Sequence, residues 1–136
     1  MKPRTDTRRI ALVASIAWMG LIFALSSLPG SAVPGRFGSL GHLVLYTVLG
    51  ALYLIVLRRD SGAWRPVLLA VMLASIYGIS DEFHQSFVPG RTPDPADWLV
   101  DTAGALLGAS IAWWLPGRIT RKRTTPDSRN ERGKAQ

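Results

Sequence analysis

Two carboxylates, an imidazole, an amide and a guanidinium stand within Ser80-Asp81-Glu82-Phe83-His84-Gln85-Ser86-Phe87-Val88-Pro89-Gly90-Arg91, in a chain that is otherwise largely apolar. Further acids follow at Asp94, Asp97 and Asp101. Asp81, His84, Asp97 and Asp101 offer oxygen and nitrogen donors suited to a hard or borderline divalent cation. Paired carboxylates can also serve as an acid and a base. Arg91, in a Pro-Gly turn, can hold a phosphate or carboxylate through two parallel hydrogen bonds. There is no His-Glu-x-x-His and no cysteine, so the residues carry no metal or cofactor signature beyond that donor set. A nucleophilic serine at Ser26 or Ser27 lacks the strand-turn-helix motif that would expose it.

These residues sit among long uncharged runs. The chain has 136 residues and 48% apolar content, but its charges are segregated rather than interleaved at helical or strand period. Ile10 to Leu28 is uncharged and matches one crossing of a hydrocarbon core of about 30 Å at a rise of about 1.5 Å per residue. Ser39 to Leu57 forms a second run, Pro66 to Ser80 opens a third with proline in its first turn, and Asp94-Pro95 begins a fourth that reaches Leu115. The expected fold is all-α: a polytopic membrane protein with four transmembrane helices. A basic leader (1–9) precedes the membrane domain (10–115), and a basic, disordered tail (116–136) follows it. The leader with Gly30-Ser31-Ala32 superficially fits a cleaved signal peptide. The run is long for that, and more spans follow.

Of the 16 basic residues, Lys2, Arg4, Arg8, Arg9, Arg58, Arg59, Arg65 and all seven after Pro116 fall on one side, leaving Arg36 and Arg91 opposite. Both termini are therefore expected in the cytoplasm, in the cell (inner) membrane. The net charge of +7 is read as a topology determinant touching anionic lipid, not as a nucleic-acid arm. On this topology Ser26, Ser27, His42, Tyr46, Asp81, His84, Gln85, Asp97 and Asp101 all converge on the extracytoplasmic end. Tyr77, Ser80, Asp81, His84 and Gln85 form one helical stripe, and Asp97, Asp101, Gly104 and Gly108 another. Gly104-x-x-x-Gly108 permits close helix packing, inside the chain or between two copies. A close partner would bring Asp101 against the Asp81/His84 stripe.

Several of these residues have simpler roles open to them. Asp94 suits a helix cap, and Asp97 suits the positive end of a helix dipole. His84 is favourable near a helix C-terminus, Ser26 and Ser27 can bond their own helix, and His42 with Tyr46 can anchor an interface. Trp98, Trp113 and Trp114 read as interfacial belt residues. Asp81 and Glu82 oppose the dipole of their helix, so Arg91, His84 or a cation is expected to offset them.

The Ser80 to Arg91 run, followed by Asp97-x-x-x-Asp101-x-x-Gly104-x-x-x-Gly108, resembles the VanZ-like family, as do His42, Tyr46 and Leu49-Gly50 and the serines at the end of the first span. The resemblance covers Ile10 to Leu115. It departs at Gly38 and Ser39, where many members carry Asp-Lys, at Leu43, where Phe is frequent, and at Asp101, where many carry Asn. The resemblance implies a small multi-helix membrane protein with an envelope-related role. For the family's namesake it implies reduced susceptibility to the lipoglycopeptide teicoplanin.

The combined expectation is a site made of Asp81, Glu82, His84, Gln85, Arg91, Asp97 and Asp101, flanked by His42 and Tyr46. It would recognise a lipid-linked envelope precursor or a glycopeptide without turning it over. A metal- or acid/base-dependent enzyme acting on a lipid headgroup is the alternative. A small transporter fits less well, because the charges gather at one face and not at the midplane.

Overall fold

A computed structural model describes residues 3–32, 35–58 and 64–121. Four helices carry the fold: α1 (Pro3–Ser26), α2 (Gly35–Leu57), α3 (Arg65–Gln85) and α4 (Pro95–Arg121). Each is long and apolar enough to cross a membrane, and among the described residues there is no strand. The outward faces carry Ile10, Val13, Ile16, Phe23, Leu68, Ile76, Ile79 and Leu99, all well exposed. That places apolar side chains where lipid tails would lie.

Lipid is as apolar as leucine, so such helices associate through close packing and hydrogen bonds. Both devices are present. One core cluster holds Ile22, Tyr46, Leu49, Ala74 and Ala105, and a second holds Leu54, Ala70 and Ala109. α2 and α4 approach most intimately. A Cβ on Gly104 would strike the Leu43 carbonyl, one on Gly108 the Thr47 carbonyl, and one on Gly50 the backbone of Ala105. Besides Ile22 in the first cluster, polar hooks hold α1: Trp18 Nε1 donates to the Leu45 carbonyl at 2.9 Å, and Tyr77 OH to the Met19 carbonyl at 2.7 Å. Trp98, half-buried, ties α4 to α3 by donating to Ser75 Oγ at 2.9 Å.

α4 runs past Pro116-Gly117, where the sequence predicts its end, to Arg121. Proline has no N–H, so the Ala112 carbonyl one turn earlier loses its helical donor. Arg58 supplies a substitute: its Nη1 lies 3.3 Å from the carbonyls of both Ala112 and Trp113, with the guanidinium 5.0 Å from the Trp113 ring centroid. Arg58→Met keeps the apolar stem and removes these donors, and should cost about 1–3 kcal/mol. Hydrogen exchange should rise selectively in the last two turns of α4. Equal protection in parent and variant would show that Arg58 does not support this helix end.

The two connections at the opposite end are clasped together. Gly30 N–H donates to the Pro89 carbonyl at 3.1 Å, and a Cβ on Gly30 would collide with Gly90. Gly90 itself adopts φ +72°, which L side chains rarely accept. The two Pro-Gly pairs thus do more than break helices: they dock, and Arg91 follows directly from that junction. The 122–136 part of the expected tail lies outside the described residues.

Candidate functional site

The polar residues meet where all four helices approach this clasped end. α3 presents an inner stripe of Ala70, Ala74, Gly78, Asp81 and Gln85, with Glu82 beside it. The stripe is rotated from the expected one: Tyr77 is half-buried, Ser80 is exposed and bonded to the Tyr77 carbonyl, and Gly78 takes the inward place. Asp81 Oδ2 accepts from Ser26 Oγ of α1 at 2.8 Å and from Gln85 Nε2 at 3.1 Å. Its burial is therefore offset by hydroxyl and amide donors, where Arg91, His84 or a cation was expected. Glu82 Oε2 accepts the backbone N–H of Asp94 at 2.8 Å, which pins α3 to the start of α4. Asp94 also caps α4, its Oδ1 accepting from Ala96 N–H at 2.8 Å.

On the other side His42 and Asp101 pair, Nδ1 to Oδ1 at 2.9 Å, with His42 only 7% exposed and Asp101 fully buried. The glycine-rich face of α4 packs on α2, so Asp101 meets His42 instead of the Asp81/His84 stripe. The other carboxylate oxygen, Asp101 Oδ2, lies against Gly78, where an added Cβ would come within 3.1 Å. Tyr46, fully buried one turn after His42, stacks near it with ring centroids 6.3 Å apart. His42 and Tyr46 are thus central, not flanking.

Two expected members stand at the edge. His84 bonds Ser27 Oγ at 3.0 Å and stacks on Phe23 at 4.3 Å. Among the described residues no carboxylate bonds its ring, so no Ser-His-Asp relay forms. Asp97 accepts from Ser39 Oγ at 2.6 Å in an exposed bond between α4 and α2. Ser26 and Gly78 belong to the site and are missing from the expected set. Gly78 could have been found as the small residue one turn before Asp81. Ser26 was marked by its place at the converging end of the first span, but a helical serine ordinarily bonds its own backbone, which kept it out of the expected set.

A cavity of about 170 Å³ opens between α1, α2 and α3, bounded by Ser26, His42, Tyr46, Asp81 and Arg91 on the polar side and by Ile22, Leu25, Leu28 and Leu45 on the apolar side. Tyr46 OH and Arg91 Nε, on two residues that line this cavity, are buried without hydrogen-bond partners. So are Glu82 Oε1 and Asp101 Oδ2 deeper in. Unpaired buried donors beside a partly apolar cavity can receive the acceptor oxygens of an amphiphile.

Four apolar helices around a polar interhelical pocket define a multi-pass membrane protein with a candidate binding site at one end. The VanZ/LLP1 family pattern matches residues 8–116, and the chain belongs to that family. No curated protein and no solved structure matches it.

Proposed function

We propose that this protein binds the anionic headgroup of a lipid-linked envelope precursor or of a lipoglycopeptide, and that it thereby lowers susceptibility to teicoplanin-type glycopeptides. The carrying observation is the cavity lined by Arg91 and Tyr46, whose Nε and OH lack hydrogen-bond partners, with an apolar side formed by Ile22, Leu25 and Leu28. At about 30 Å³ per water, 170 Å³ holds roughly six waters. That suits a phosphate- or carboxylate-sized group with its chain along the apolar wall, and the rest of a larger ligand remains outside. The basic residues favour both termini in the cytoplasm, which turns the site toward the outer leaflet of the cytoplasmic membrane.

Expression in a teicoplanin-sensitive host tests this. The parent chain should raise the inhibitory concentration, and Asp81→Asn and Arg91→Ala should each remove the protection while accumulating to the parent's membrane level. Protection retained by both variants, or absent from the parent, would end this reading.

A further inference from the structure

We propose that His42, Glu82 and Asp101 form a binding site for one divalent transition-metal cation of the Zn²⁺ or Mn²⁺ class, buried where α2, α3 and α4 meet. Each residue offers a ligand atom, and these atoms lie within 4.8 Å of one another. Ligands around a tetrahedral ion with bonds of about 2.0–2.1 Å stand about 3.3 Å apart. Closing the set therefore requires side-chain movements on the order of 1 Å and no rearrangement of helices.

The second observation is the state of the carboxylates. Asp101 is fully buried and Glu82 is 9% exposed, yet Asp101 Oδ2 and Glu82 Oε1 have no hydrogen-bond partner. Leaving such oxygens unpaired is costly, and a buried anion needs a nearby positive charge. Among the described residues no lysine or arginine forms an ion pair with Glu82 or Asp101, and His42 pairs with Asp101 through one of its two oxygens only. A dication would balance the two carboxylates whose oxygens lack partners. The surroundings are also arranged for one. The Asp94 N–H holds Glu82 Oε2 and leaves Oε1 free, as outer hydrogen bonds orient metal ligands elsewhere. Gly78 keeps space beside Asp101 Oδ2 that a methyl group would narrow. His42 borders the cavity, which supplies a route from solvent.

The donor set selects the ion class. One imidazole nitrogen with two carboxylates favours a borderline cation, and a chain without cysteine offers no thiolate for a soft one. The site is independent of the ligand proposed above, because its residues would bind the ion whether or not the cavity is filled.

The test uses the full chain purified without a histidine tag, stripped with chelator in detergent and titrated separately with Zn²⁺, Mn²⁺ and Co²⁺. The parent should take up about one equivalent of Zn²⁺ or Mn²⁺, melt at higher temperature when loaded, and show the visible absorption of protein-bound Co²⁺. Glu82→Gln and Asp101→Asn, nearly isosteric, should each weaken binding by more than about tenfold. Asp6→Asn, an exposed carboxylate near the start of α1, should bind as the parent does. Should either replacement unfold the protein, the parent's stoichiometry and Co²⁺ spectrum still decide. No stoichiometric uptake by the parent, or uptake unchanged in both folded variants, overturns the proposal.

Discussion

His42→Ala should lower the stability of the metal-stripped protein by about 3–5 kcal/mol, the range seen when one partner of a buried ion pair is removed. Asp101 is fully buried, and its one bonded oxygen, Oδ1, would join Oδ2 without a partner. Asp81 and Glu82 are acids themselves, so they offer no relief. The loss should fall mainly on the α2–α4 interface, since the pair joins those two helices. Adding Asp101→Leu removes the orphaned carboxylate, and the double variant should be more stable than His42→Ala alone, a coupling that a double-mutant cycle measures directly. Ser39→Ala supplies the contrast: it breaks a bond to Asp97 between the same two helices, but an exposed one, and should cost less than about 1 kcal/mol. Unfolding of the parent, His42→Ala, Asp101→Leu, the double variant and Ser39→Ala in one detergent provides the comparison. If His42→Ala and Ser39→Ala cost the same, burial is not what makes the His42–Asp101 pair important.

The four spans were legible because each is a predominantly apolar stretch of about 20 residues, a property of local sequence that tertiary contacts cannot change. Convergence of the polar residues was legible for the same reason: helix direction alternates, so residues near alternate ends of successive runs meet. What the sequence does not carry is the rotation of each helix. Tyr77, Ser80, Asp81, His84 and Gln85 make a continuous stripe, yet the buried one is displaced to Gly78, Asp81 and Gln85. In lipid, Tyr77 and Ser80 need not be the inward residues; a helix turns its small residues inward where a neighbour comes close. The partner of Gly104 and Gly108 was hidden too, because a glycine face shows that something approaches but not which helix. That choice placed Asp101 on His42 and so moved His42 and Tyr46 to the centre. Arg58 shows a different limit. Its charge reads as a topology signal, and only the position of Ala112 beside it reveals that it also serves a carbonyl left without a donor by Pro116.

Gly108→Val should cost more than about 3 kcal/mol, at or beyond the upper end for overpacking a core. The added Cβ meets the backbone carbonyl of Thr47, which cannot rotate away as a side chain can. Relief requires α2 and α4 to separate, which would also open the Gly104–Leu43 and Gly50–Ala105 contacts and stretch the His42–Asp101 bond two turns away. The same substitution distinguishes the two uses of a Gly-x-x-x-Gly face. Were the glycines a dimer seam, the variant would be a folded monomer of near-parent melting temperature. With the glycines occupied by α2 of their own chain, it should instead melt at markedly lower temperature or fail to accumulate, whatever its oligomeric state. Gly20→Ala is the matched control: nothing lies within 4 Å of a Cβ at that position, in the middle of α1, and relief of glycine's backbone entropy should leave stability unchanged or raise it by about 0.5–1 kcal/mol. Thermal unfolding with size-exclusion chromatography separates the outcomes, and a dissociated but fully stable Gly108→Val protein would move this face of α4 from the inside of the bundle to an interface between copies.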